Sequence, residues 1–344
     1  MSVKLDVAQR NDIKTNEYWT KYLLGMITLE TQNFVFSTLG NQVTIPNNSG
    51  TTTISFRRYN HLPIARDTDG TIKKIAEGIA PEPLKIEAQK VQGTINQYGA
   101  YIKETDWTKK IHMDDIKNIY MPELARHAAE VRERVIMENF ADASEWYVGN
   151  AADADDLEPT DVLTLKEVRK VVLSMKNYRR KGHTKFGGKP VLVVHINVMQ
   201  DLLDDADLKD RILTPGNDNT PIKTGTLEKY LMYGFYVIET LIAEVEKNAA
   251  STPFNVYTSY LLGKDPYAVI SLGSSNIEWQ HVPFKASHSQ PLAQWASFGY
   301  KMWVGAKITD PLAITKIYSA SAYDIDVDFS NDNLGRAASQ GAAS

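Results

Sequence analysis

Residues 66–107, RDTDGTIKKIAEGIAPEPLKIEAQKVQGTINQYGAYIKETDW, constrain the fold more than any other stretch, because an extended pattern there runs without a break into a helix start. From Lys85 onward Ile86 and Ala88, then Val91, Gly93 and Ile95, alternate with polar residues, and the register changes near Gln89 and Lys90. Tyr98, Ala100 and Ile102 continue the alternation up to Thr105 and Asp106. About twenty residues of extended chain span roughly 65 Å at ~3.3 Å each, more than a domain of this size uses. The expectation is a β-ribbon that leaves its own domain. Its partner strand is residues 51–58, TTTISFRR, with Thr52, Ile54 and Phe56 facing one way and Thr53, Ser55 and Arg57 the other.

The rest of the chain must support such a ribbon. At 344 residues it exceeds the usual ceiling for a single hydrophobic core, so two or more lobes are expected. A net charge of −4 gives neither the basic excess of a duplex-binding module nor the acidity of a disordered or cation-binding chain. The absence of cysteine removes disulfides, thiolate metal sites and cysteine nucleophiles together, and fits assembly in a reducing cytoplasm. The first residues, MSVKLDVAQRND, lack the basic start and apolar run of a secretory signal, and no apolar run approaches the ~18 residues of a membrane span. A soluble chain with no membrane partner is expected. No repeat of fixed period is present, and low complexity is confined to the tail, AASQGAAS.

Residues 15–38 read as a helix capped by Thr15 or Asn16, with Trp19, Leu23, Met26 and Ile27 in one stripe. The polar segment before it is either an arm lying on another body or a frayed terminus. Residues 122–143 read as a helix with Pro122 at its first position and Leu124, Ala128, Val131 and Val135 as its core stripe, widened by Ile136 and Phe140. It spans roughly 33 Å and serves as a strut. The acidic loop NAADADDLEPT, residues 150–160, marks a lobe boundary. Beyond it come a helix over 163–178 ending in a basic run, the apolar strand PVLVVH, a helix over 197–203, and strands at 235–240, 256–262 and 267–272. These make a mixed α/β lobe with a buried central strand. Residues 296–306 and 313–319, split by Thr309, Asp310 and Pro311, read as a hairpin closing a sheet.

Chemistry finds no foothold in these segments. The seven histidines hold no metal-ligand spacing on an expected helix, and DLLDDADLKD lacks the alternating ligands, central Gly and closing Glu of a calcium loop. GNDNTPIKTG lacks the Gly-Lys-Ser/Thr ending of a phosphate cradle, and no Gly-x-Ser-x-Gly elbow occurs. Glu77 and Glu87 lie on the ribbon, where no cavity can raise a carboxylate pKa, and the basic residues around 179–185 suit a helix C-terminus without any ligand. The expectation is no catalytic residue, no cofactor and no metal.

The order of arm, ribbon, strut helix MPELARHAAEVRERVIMENF, α/β lobe and closing sheet resembles the major capsid proteins of tailed double-stranded DNA bacteriophages. These have an α+β fold of the HK97 type, and the resemblance is nearest to the phage N4-like branch. Its signature is Glu77-Gly78 followed by Pro81, then Gln97-Tyr98-Gly99 and Thr105-Asp106, with GKDPYAVISL and WASFGYKMWVGAKI as further matches. The resemblance implies an N-terminal arm over residues 1–45 and an extended E-loop over 46–106. It implies a P-domain with spine helix over 107–149, an A-domain over 150–275, a P-domain sheet over 276–330 and a tail over 331–344. Hexamers and pentamers would tile an icosahedral shell around packaged DNA, touched without sequence specificity, in virions assembled in the bacterial cytoplasm. Portal and decoration proteins are further partners in this reading, with a separate scaffold or none, since the arm helix begins at about residue 15. Some relatives cross-link a ribbon lysine to a neighbour's asparagine. Lys73, Lys74, Asn331 and Asn333 are present, but nothing in their setting sets them apart from solvated residues.

The subunit contacts expected on this reading are Trp19 and Leu23 on the arm and Lys73, Lys74, Ile75, Glu77, Ile79 and Leu84 on the ribbon. Ordering the ribbon costs on the order of 1 to 2 kcal/mol per residue, and its own apolar residues are too few to offset that without a neighbouring copy. Two other readings stand beside this one: an encapsulin-like compartment shell, and a soluble hydrolase or nucleic-acid-binding protein.

Overall fold

Five consecutive apolar or aromatic residues leave a strand no wet face, and β6 (Val191–His195) is buried along its whole length. The computed structural model describes residues 35–59, 62, 64, 66, 69, 71–74, 77–78, 83–111, 116–178, 180–206, 229–232, 234–248, 254–273, 277–286 and 291–323. In it β6 sits between β10 (Asn255–Leu262) and β8 (Phe235–Thr240). The sheet runs on through β14 (Ile314–Ser319) to β5 (Ser144–Tyr147) on one side and to β7 (Lys229–Met232) on the other, with β9 (Val245–Lys247) also on β10. One face, with Leu192, Val194, Leu261 and Ile317, packs under α4 (Leu165–Asn177) and α5 (Ile196–Asp204). Thr164 caps α4 by accepting the N–H of Glu167. The other face, with Val191, Val193, Tyr260 and Leu262, turns toward a second core.

That second core lies between the spine helix α3 (Ile116–Glu138) and a five-stranded sheet. The sheet comprises β1 (Asn41–Ile45), β4 (Asn96–Thr105), β11 (Tyr267–Leu272), β12 (Ile277–Val282) and the fourteen-residue β13 (Trp295–Ile308). Alternation along β13 sends Ala296, Phe298, Tyr300, Met302 and Val304 inward, against Leu124, Ala125, Ala128, Ala129 and Ile136 of the helix. Between the two sheets Phe140 packs its ring on Phe36, Tyr260 and Tyr267 at centroid distances of 5.7, 5.6 and 4.7 Å. Phe36 opens the short α1 (Phe36–Leu39), and α2 (Asp106–Ile111) follows β4. A separate two-stranded sheet pairs β2 (Thr53–Tyr59) with β3 (Ala88–Thr94), from Thr53 opposite Thr94 to Tyr59 opposite Ala88.

Three expectations are corrected here. The extended run after Lys85 is two strands with different duties: β3 belongs to the ribbon, while β4 pairs with β13 along its full length. The break falls at Ile95, whose side chain is buried and whose N–H bonds the carbonyl of Thr52 at 3.0 Å. The spine helix begins at Ile116 and ends at Glu138, so Pro122 stands inside it. Proline brings no N–H to the carbonyl four residues back, a loss tolerated near a helix start but normally a stop signal. Finally, β13 and β14 are not a hairpin. β14 pairs with β10 in the seven-stranded sheet, and the chain crosses between sheets at a turn led by Asp310 and Pro311. The turn from β10 to β11 crosses the same way, because two adjacent alternating segments can turn their apolar faces into two different cores. The expected helix over 15–38 lies outside the described residues except for its last turn.

Candidate assembly surface

Among the described residues the ribbon is tied down at its base. Ile54 and Phe56 on β2 alternate inward and pack with Ile45, Ile95, Ile270, Leu272 and Trp303 into a small satellite core. Gly93 passes over Ile270, and Gly305 lets β13 pass under the carbonyl of Thr94. A Cβ at Gly305 would stand 2.0 Å from that oxygen, so only glycine fits there. Arg58 closes the base. Its Nη1 lies 2.9 Å from Asp310 Oδ1, and Asp310 Oδ2 also pairs with Arg180 Nε at 2.7 Å. Asp310 thus joins the ribbon, the stretch after α4 and the turn between the sheets in one half-buried ion cluster.

Beyond this base the ribbon carries large apolar side chains into solvent. Tyr59, Leu62, Ile64, Ile72, Leu84 and Ile86 are between 48% and 65% exposed. Lys73, Lys74 and Glu77 are exposed alongside them, while Ile75, Ile79, Trp19 and Leu23 lie outside the described residues. Of the expected contacts, then, Leu84, Lys73, Lys74 and Glu77 stand at the surface. Tyr59, Leu62, Ile64, Ile72 and Ile86 join them, unforeseen because each is a single apolar residue in a polar or proline-broken setting. On the spine helix Leu124, Ala128 and Val135 are buried and Val131 is half-buried against the same core.

The backbone of α1 is held by side chains from several elements. Glu133, 1% exposed, accepts the N–H groups of Phe36 through Oε2 and Ser37 through Oε1, each at 2.7 Å. Tyr267 donates its hydroxyl to the carbonyl of Phe36 at 2.7 Å, His183 Nε2 donates to that of Leu39 at 2.9 Å, and Lys185 Nζ donates to that of Thr38. Burial raises the Glu133 pKa, opposed by the hydrogen bonds from Ser37 and Phe36 and by the charge of Arg132. Burial lowers that of His183, which fits a neutral ring whose Nδ1 accepts the Lys185 N–H. Nothing in the sequence singled out Glu133, since one acidic residue on a long charged helix has no local signature. Among the described residues no group of three or more His, Asp or Glu is placed to hold a metal ion, and no helix is long and apolar enough to cross a membrane.

No protein-family model and no curated protein matches the chain. Solved structures do. The capsid of Ralstonia phage GP4 is similar over 82% of this chain and 87% of that one, with TM-score 0.61 and 12% identity. The capsid asymmetric unit of cyanophage Pam1 gives 82% and 89%, 0.59 and 12%. The mature capsid of bacteriophage PhiM1 gives 82% and 86%, 0.56 and 12%. The α+β fold of this chain is the fold of these phage capsid chains.

Proposed function

We propose that the chain is a major capsid protein, a structural subunit whose hexamers and pentamers close an icosahedral shell around a double-stranded DNA genome. One observation carries this: a capsid-type fold holds by its base a ribbon whose far part exposes six large apolar residues. Such a segment gains its ordering energy from a neighbour. In this reading the chain ahead of β1 is the arm, β2 and β3 with the segment between them are the E-loop, α2, α3 and the five-stranded sheet are the P-domain, and the seven-stranded sheet with α4 and α5 is the A-domain. The segments Glu77-Gly78, Gln97-Tyr98-Gly99 and Thr105-Asp106 favour the N4-like branch. Virions assembled in a bacterial cytoplasm, with portal, decoration and separate scaffold partners, complete it.

The test is electron microscopy of particles formed by the purified chain, with extraction of what virions or expressed shells contain. Closed shells, with genome-length DNA in virions, are expected. A protein cargo would instead favour an encapsulin-like compartment, and a monomer with enzymatic turnover would refute both. The near-neutral charge further implies that the lining does not grip phosphates, since a basic one would bind DNA through counterion release and impede its spooling. Tight, sequence-dependent duplex binding by the isolated subunit at physiological salt would contradict this.

A further inference from the structure

The core stripe of the spine helix carries one residue that does not belong in a core. Arg132 stands four residues after Ala128 and four before Ile136, both fully buried, so the helical period turns it toward the five-stranded sheet. It is half-buried there, and burial lowers its pKa against the opposing charge of Glu133. The other arginines of α3 are paired, Arg126 with Glu123 at 3.0 Å and Arg134 with Glu130 at 3.3 Å. Arg132 has no such acceptor among the described residues, and both oxygens of its neighbour Glu133 are held by α1. A guanidinium presents five N–H donors, and leaving them unmet away from water is costly.

The sheet beneath Arg132 has a gap. β11 pairs with β13 as far as Ser271 opposite Val304, and β12 takes up the same edge at Ile277 opposite Met302, so the row is broken opposite Trp303. β4 holds the other edge of β13 up to Val304. Arg132, Ser271, Ile277, Met302 and Val304 line a cleft at the break, about 210 Å³ with its open mouth and deep enough inside for one water-sized group.

The geometry points to a binding site for a single carboxylate group, held by the Arg132 guanidinium over the gap. The fork of N–H donors matches the two oxygens of a planar carboxylate in a bidentate pair. Ile277, Met302 and Val304 supply apolar walls for a short aliphatic stem. Ser271 adds little on the polar side, since its Oγ already lies 3.2 Å from Thr44 Oγ1 and 3.5 Å from the Val43 carbonyl. The cleft is too small for a nucleotide. A bound carboxylate joins α3 to β11, β12 and β13 where the sheet is interrupted, and so stabilises the subunit by mass action.

The test uses the soluble full chain, isotope-labelled in arginine and in the methionine methyls, so its outcome is independent of shell formation. Formate is the probe, titrated at constant ionic strength against chloride. One arginine Nε–H signal and the Met302 methyl signal should move together and saturate with a midpoint of about 10 mM, the strength of one partly solvated charge-assisted pair. Arg132→Lys keeps the charge without the fork, and should lose that arginine signal and bind formate about tenfold more weakly. Met302→Leu assigns the methyl signal independently, so the site can still be located if the lysine variant does not fold. The N-acetyl amide of glutamic acid is a second probe, which separates the two sources of a carboxylate. Saturation by it at lower concentration than formate assigns the site to an acidic side chain of a bound chain, and the reverse order assigns it to a free short-chain acid. No saturating movement of the Met302 methyl with either probe, an equal movement in chloride, or full-strength binding by Arg132→Lys would overturn the site.

Discussion

Replacing Glu133 by alanine should release α1 from α3. The carboxylate is buried and accepts two backbone N–H groups at 2.7 Å, so its removal strands both donors where water cannot reach. Each orphaned buried donor costs about 1–3 kcal/mol, and the one lost methylene adds about 0.8 kcal/mol. Removing a group whose ionisation burial disfavours offsets part of this, leaving a net loss of about 3–5 kcal/mol from a total stability of about 5–15. Glu133→Gln keeps one acceptor oxygen and should lose roughly half as much. Urea unfolding of the soluble subunit, followed by tryptophan fluorescence, reads the difference directly. A loss below about 1 kcal/mol for the alanine variant would refute the anchoring role, since that is within the range of an ordinary surface change. The pH dependence gives an independent check. A carboxyl whose folded pKa is raised contributes most below its unfolded value, about 4.3, and that contribution is lost as pH rises through the folded value. The stability of wild type relative to Glu133→Gln should therefore rise as pH falls from neutral toward about 4.

Asp310→Ala leaves Arg58 and Arg180 facing each other without their shared carboxylate and should cost about 2 kcal/mol, discounted for partial exposure. Limited proteolysis should then cut faster within residues 60–87, and an unchanged cutting rate would mean the cluster does not hold the ribbon base. Ala128→Asp places an unpaired carboxylate at a fully buried position and should unfold the subunit, whereas Val131→Asp at the half-buried position should cost about 1–3 kcal/mol. Thermal melts would check the order, and equal effects would contradict the depth assigned to the two faces.

Much of this architecture is legible in residue pattern because each element solves its burial locally. VLVVH can only be a strand covered on both faces, and the stripe of Leu124, Ala128 and Val135 can only face a core. Partners are less legible than elements. Alternation in WASFGYKMWVGAKI and ITKIYS announces two strands but not that they join different sheets, because the choice is made by β10 and β11, which lie far upstream. The split at Ile95 hides for the same reason: an alternating run looks alike whether its partner is β2 or β13. The clusters at Glu133 and Asp310 join residues 97 and 252 positions apart and leave no trace in local sequence. The exposed apolar residues were only partly legible, since Leu84 follows a recognisable motif while Tyr101 and Trp107 look like core until the fold shows which face they occupy.

The central claim is that the ribbon assembles copies and does not stabilise its own subunit. Replacing residues 67–83 by a short glycine-rich turn tests it, with a thermal melt and electron microscopy on the same preparation. The satellite core of Ile54, Phe56 and Ile95 and the Arg58 cluster stay intact in this variant, so it should melt cooperatively near the parent temperature and form no closed shells. Normal particles from the shortened chain, or failure of that chain to fold, would contradict the account.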